Sequence, residues 1–161
     1  MRGIETSDVT DLLIGITPAY LNTFLQRKLY GISSSVRAGK VREKRRLFSE
    51  EDVYGIALVW MLFESGLRTQ PIRRILNELA GTKKANAKVT AQKLLQSEAE
   101  YIVVVREPRK PKGKAEPEPE IRTAREADLA GIPSANPMAN VLLVPIGAKF
   151  ADIKKRLEVL Y

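Results

Sequence analysis

One basic run sets the chemistry open to this chain. Between Arg27 and Arg46 stand eight lysines and arginines, Arg27, Lys28, Arg37, Lys40, Arg42, Lys44, Arg45 and Arg46, against a single acid, Glu43. No helical period runs through 31–47, and its glycines, serines and charges make it too polar for a core. Cationic side chains on an extended arm neutralise phosphates and release counterions, which supplies affinity and salt dependence with little sequence information. Just upstream, Asn22 and Gln26 lie four residues apart, on one face of any helix that carries them, and a carboxamide suits bidentate contact with adenine.

Other chemistries are excluded by what is missing. The 161 residues include no cysteine and no histidine. That removes disulfides, thiolate nucleophiles, the usual zinc sites and histidine acid–base catalysis. "GTKK" at Gly81 lacks the spacing of a phosphate-binding glycine loop, and Ser33 to Ser35 have no partner base. Carboxylate chemistry stays formally open, and we expect no enzyme, no cofactor and no metal. No apolar run reaches the roughly 20 residues that span a bilayer, and "MRGIETSDVT" has no signal-like stretch. A cytoplasmic protein without a membrane partner is expected.

The elements that must position the basic run follow from apolar periodicity and caps. "SDVTDLLI", 7–14, reads as a short helix with Ser7 as cap and Val9, Leu12 and Leu13 inward. "GIT" interrupts it, and Thr17 with Pro18 opens a second helix whose apolar side holds Leu21, Phe24, Leu25 and Leu29. Outward positions are Thr17, Ala19, Tyr20, Asn22, Thr23, Gln26 and Arg27, although Tyr20 is also able to pack inward. A third helix opens at Ser49, capped with Asp52 and carrying Val53, Ile56, Ala57 and Trp60 on its buried stripe, and Gly66 ends it. Thr69 is expected to cap a fourth, with Ile72, Ile75, Leu76 and Leu79 inward and Gly81 as its stop.

These residues resemble a known family. "GIT" with Pro18, then "RLFSEEDV" at 46–53, then "ESGLRTQPIRRIL" at 64–76 are similar to the DNA-binding domain of the mercury-resistance regulator (MerR) family, over about the first half of the chain. The resemblance implies a winged helix-turn-helix in which the second helix enters the major groove and the segment before Arg46 is a wing on the DNA backbone. It assigns DNA contact to the outward residues of the second helix and to Arg37, Lys40, Arg42, Lys44, Arg45 and Arg46. Asn22, Thr23 and Phe24 depart from the family's arginine and two aromatics. The family's long dimerisation helix has no counterpart here, and with no cysteine, thiolate metal sensing is ruled out.

Beyond residue 80 the pattern changes. "KVTAQKLLQSEAE" reads as a fifth helix, 101–105 and 140–146 as β-branched strands, and 150–160 as a final helix with Phe150, Ile153, Leu157 and Leu160 at coiled-coil-like spacing. That helix either covers its own strands or meets its twin in a second chain. "REPRKPKGK" and "EPEPE", about 107–120, form a charged, proline-rich connector. The expected fold is therefore α+β: a winged helix-turn-helix over 1–80, then a small α+β module over 81–161 with two strands and a C-terminal helix, serving dimerisation or signal reception. The function expected is a sequence-specific, double-stranded-DNA-binding transcriptional regulator, acting as a homodimer, with room for a small-molecule or protein effector. Two other readings fit the same residues: an excisionase-like or nucleoid-associated architectural DNA binder, and a protein-interaction module of antitoxin type.

Overall fold

The computed structural model describes residues 3–26, 29–32, 34–36, 46–108, 113, 117–132 and 139–160. Its class is α+β. Strand β1 (Ile4–Glu5) leads directly into helix α1 (Thr6–Leu12), followed by α2 (Pro18–Gln26), a single 3-10 turn (Leu29–Gly31), β2 (Ser35–Val36) and β3 (Arg46–Phe48). Helices α3 (Glu50–Glu64), α4 (Thr69–Ala80) and α5 (Ala87–Gln96) come next. The chain ends with β4 (Tyr101–Arg106), β5 (Glu120–Ala124), α6 (Glu126–Leu129), β6 (Asn140–Val144) and α7 (Ile146–Leu160). Among the described residues these strands form two three-stranded antiparallel sheets, in the orders β1-β3-β2 and β5-β4-β6.

Helix α3 is the axis of the molecule. Every residue from Asp52 to Leu62 is buried, so the expected stripe is in fact a whole circumference. A helix that is apolar all round must be enclosed on all sides, and α4, α5, α7 and β3 all pack against it. Its start is the capping box read from Ser49 and Asp52: Asp52 N donates to Ser49 Oγ at 3.2 Å, and Ser49 N donates to Asp52 Oδ2 at 3.0 Å. Gly55 allows α5 to approach closely, because a Cβ there would stand 2.9 Å from the Lys88 backbone nitrogen. Lys88 also reaches back to Glu51 at 2.8 Å. This bond holds the Glu51 carboxyl below its ordinary range and the Lys88 ammonium above its own.

Helix α5 is tied to α4 as well. The buried Thr90 hydroxyl lies 3.2 Å from the Leu76 carbonyl and 2.8 Å from that of Asn86, while Lys93 Nζ donates to the Ala80 carbonyl at the end of α4. The apolar core is continuous across residue 80, from Val9, Leu21 and Phe24 through Ile56, Leu58, Ile72 and Ile75 to Leu94, Ile102, Val144 and Ile153. In the second sheet Ile102 and Val104 face this core. Helix α7 closes it, and Gly147 N donates to the Glu100 carbonyl at 3.0 Å where the helix begins.

Several expectations need correction. The first helix is capped by Glu5 rather than Ser7, because β1 delivers Glu5 in extended conformation and Glu5 and Asp8 cap reciprocally. The fourth is capped by Arg68 rather than Thr69: the Arg68 carbonyl accepts the first helical bond, from Ile72 N. The second module has three strands, not two, since Glu120–Ala124 at the end of the charged connector pairs with Tyr101–Val105. Part of that connector also packs back, with Glu118 paired to Arg74 at 2.8 Å. The final helix begins at Ile146, inside the predicted strand, and buries Phe150, Ile153 and Leu157 within its own chain, leaving Leu160 half exposed. Leu29 lies in the 3-10 turn, and its side chain is outside the described part.

Candidate nucleic-acid interface

Helix α2 stands on the surface because only one side of it is apolar. Leu21 and Phe24 are buried and Leu25 half-buried, and Phe24 meets Tyr30 edge-on at 5.9 Å. Pro18 occupies the first helical position, and the Thr17 hydroxyl accepts from Tyr20 N at 3.3 Å, as a capping threonine should. Five residues separate this helix from α1, since α1 ends at Leu12, and Gly15 takes φ +95° within that turn.

The outward residues divide into two sets. Ala19, Asn22, Thr23 and Gln26 follow the i, i+3, i+4, i+7 spacing of a single stripe. Ala19 and Gln26 are exposed, while Asn22 and Thr23 are half-buried, the Thr23 hydroxyl being bonded back to the Ala19 carbonyl at 3.0 Å. Thr17 is exposed at the head of the helix. Tyr20 stands to one side: its ring packs 5.4 Å from Trp60 and 5.5 Å from Phe63, and it is still 42% exposed.

Strand β3 places Arg46 against this stripe. Arg46 Nη1 donates to Asn22 Oδ1 at 2.5 Å, which makes one unit of two residues read separately from sequence. Val36 of the edge strand β2 pairs with Arg46 of the central strand β3. Arg27, Arg37, Lys40, Arg42, Lys44 and Arg45, expected as DNA contacts, lie outside the described residues, as does Lys28.

Three cations not singled out from sequence converge on the same end of α2. Arg73 of α4 and Lys83 and Lys84 of the α4–α5 turn join Gln26 and Arg46 around a cleft of about 760 Å³. In sequence Arg73 is simply a charge on the polar side of an amphipathic helix. Only the α4–α5 reversal at Gly81, with φ +68°, turns the two lysines toward β3. Among the described residues no group of histidine, cysteine or carboxylate side chains is arranged to hold a metal ion, and no helix is long and apolar enough to cross a membrane. The chain matches no protein-family model and no curated protein.

Proposed function

We propose that the chain is a sequence-specific regulator of transcription that binds double-stranded DNA in the manner of the MerR-like proteins its first half resembles. It acts in the cytoplasm as a homodimer, without catalysis or cofactor. Helix α2 enters the major groove, the segment between β2 and β3 lies on the backbone, and residues 81–161 serve assembly or signal reception. The observation that carries this reading is the Arg46–Asn22 bond, which ties the start of β3 to the outward stripe of the second helix. The guanidinium that the family carries on that helix is supplied here from β3. Arginine beside a carboxamide on a half-exposed helix face is a combination suited to phosphate and base edge together.

The test is selection from a random duplex pool by the full chain at near-physiological salt. An enriched inverted repeat with half-sites about 10 base pairs apart is expected of a two-fold dimer. Retention of DNA without an enriched motif would replace the regulator by an architectural binder. No retention at all would refute DNA binding and leave the basic run to a protein partner.

A further inference from the structure

The cleft beside α2 has the composition of a small-molecule site. Its floor is apolar, with Tyr30 and Ile32 each only 4% exposed, and its walls carry Arg46, Arg73, Lys83 and Lys84. Among the described residues no carboxylate lines it. Among the described residues neither Arg73 nor either lysine has an ion-pair partner, so their charge is available to a ligand. A duplex backbone is a convex ridge that needs exposed cations and no recessed apolar floor. A volume of about 760 Å³ with a few convergent polar groups is what a small organic molecule needs. Tyr30 is held at φ 61°, a left-handed conformation uncommon for an aromatic residue, at the floor of this cleft.

A further observation narrows the chemistry. Asn77 adds a carboxamide to the lining beside these cations. Arginine with lysines and no acid selects a phosphate over a neutral group, because charge-assisted bonds to phosphate are about twice as strong as neutral ones.

We propose that the cleft between the C-terminal end of α2, β3 and the α4–α5 turn binds a small phosphorylated molecule with an apolar or aromatic body. The phosphate lies among Arg46, Arg73, Lys83 and Lys84, and the body over Tyr30. Arg46 belongs to this site and also holds Asn22, so a phosphate that recruits the guanidinium alters the presentation of Asn22. On the DNA-binding reading above, the ligand therefore changes operator affinity, and the operator changes ligand affinity by the same factor.

Calorimetric titration of the full chain with adenosine monophosphate, phenyl phosphate and inorganic phosphate, at constant ionic strength and without DNA, tests the site independently of that reading. Saturable binding of at least one organic phosphate is expected, tighter than inorganic phosphate by about tenfold or more. Arg73→Ala/Lys83→Ala/Lys84→Ala should weaken it by at least about tenfold, with an unchanged melting temperature showing that the fold is intact. Asn77→Asp, which adds a negative charge in place of the amide, should weaken it as well. If none of the three probes binds saturably, or the triple variant binds as the wild type does, the site is refuted. Loss of DNA affinity in the triple variant together with no binding of the probes would refute it too, and would assign the cleft to the DNA backbone.

Discussion

The guanidinium of Arg46 donates to the side-chain carbonyl of Asn22 at 2.5 Å, across 24 positions of sequence. Each side chain thereby restrains the other: the Asn22 oxygen is engaged by the guanidinium, and Arg46 is held against α2 at the start of β3. On the proposed DNA-binding reading, the phosphate contact and the base-reading contact would act as one unit.

Substitution of this pair should therefore be non-additive. Arg46→Ala, expected from an isolated phosphate contact to weaken all duplexes alike, should also change the selected sequence. Adding Asn22→Ala to it should cost less than the sum of the two, with a coupling of about 1 kcal/mol. A double-mutant cycle of dissociation constants on the selected site and on a scrambled one measures this. Strict additivity on both would separate the two residues functionally.

The basic segment beyond β2 should act through charge. Alanine at Arg42, Lys44 and Arg45 together, leaving Arg46 and Asn22 in place, should weaken binding to every duplex similarly. The slope of log affinity against log salt should fall by about 0.9 for each phosphate contact removed. Titration at four or so salt concentrations reads the slope directly, and an unchanged slope would take the wing off the DNA. Gln26→Ala, by contrast, should shift site preference more than general affinity.

Gly55 should tolerate no larger residue. Alanine is the better helix former by about 1 kcal/mol, yet a Cβ here meets the Lys88 backbone at 2.9 Å and 3.1 Å rather than a side chain able to rotate away. Overpacking of that kind costs about 1–3 kcal/mol, so Gly55→Ala should be net destabilising by urea unfolding. Gly131→Ala, whose nearest neighbour is the Asp128 carbonyl at 3.6 Å, should change stability little. Equal midpoints for the two variants would contradict the close packing of α3 on α5.

Stability should depend on pH at both extremes. Glu51, lowered by its bond to Lys88, contributes stability that is present above its ordinary 4.5 and lost as pH falls through the depressed folded value. Lys88, raised by the same bond, contributes below 10.5, and that contribution disappears as pH rises through its folded value. Tyr54 is raised mainly by burial, so its phenol also favours the fold below 10.0 and its ionisation opposes the fold in stronger base. Unfolding midpoints across pH should show the acid limb reduced in Lys88→Met. Ultraviolet titration should show a late tyrosine ionisation that Tyr54→Phe removes.

Helices α2 to α5 were legible because their signals act within a few residues: Thr17 with Pro18, the Ser49–Asp52 box, the left-handed Gly81, and apolar spacing that keeps Leu21 and Phe24 or Ile72, Ile75 and Leu76 on one side. The basic run and the stripe of Asn22 and Gln26 could be read in the same way. The strands β1 and β5 could not. Ile4–Glu5 is too short to show a period, and Glu120–Ala124 reads as the tail of a charged connector until β4 offers it an edge to pair with. Likewise Ser7 and Thr69 have capping side chains, but the chain enters each helix elsewhere, from β1 in one case and through Arg68 in the other. The Arg46–Asn22 bond and the gathering of Arg73, Lys83 and Lys84 beside Arg46 belong to the tertiary structure alone. Periodicity and caps fix which side of a segment is buried, whereas contacts between distant polar residues depend on how the buried sides of all segments fit around α3.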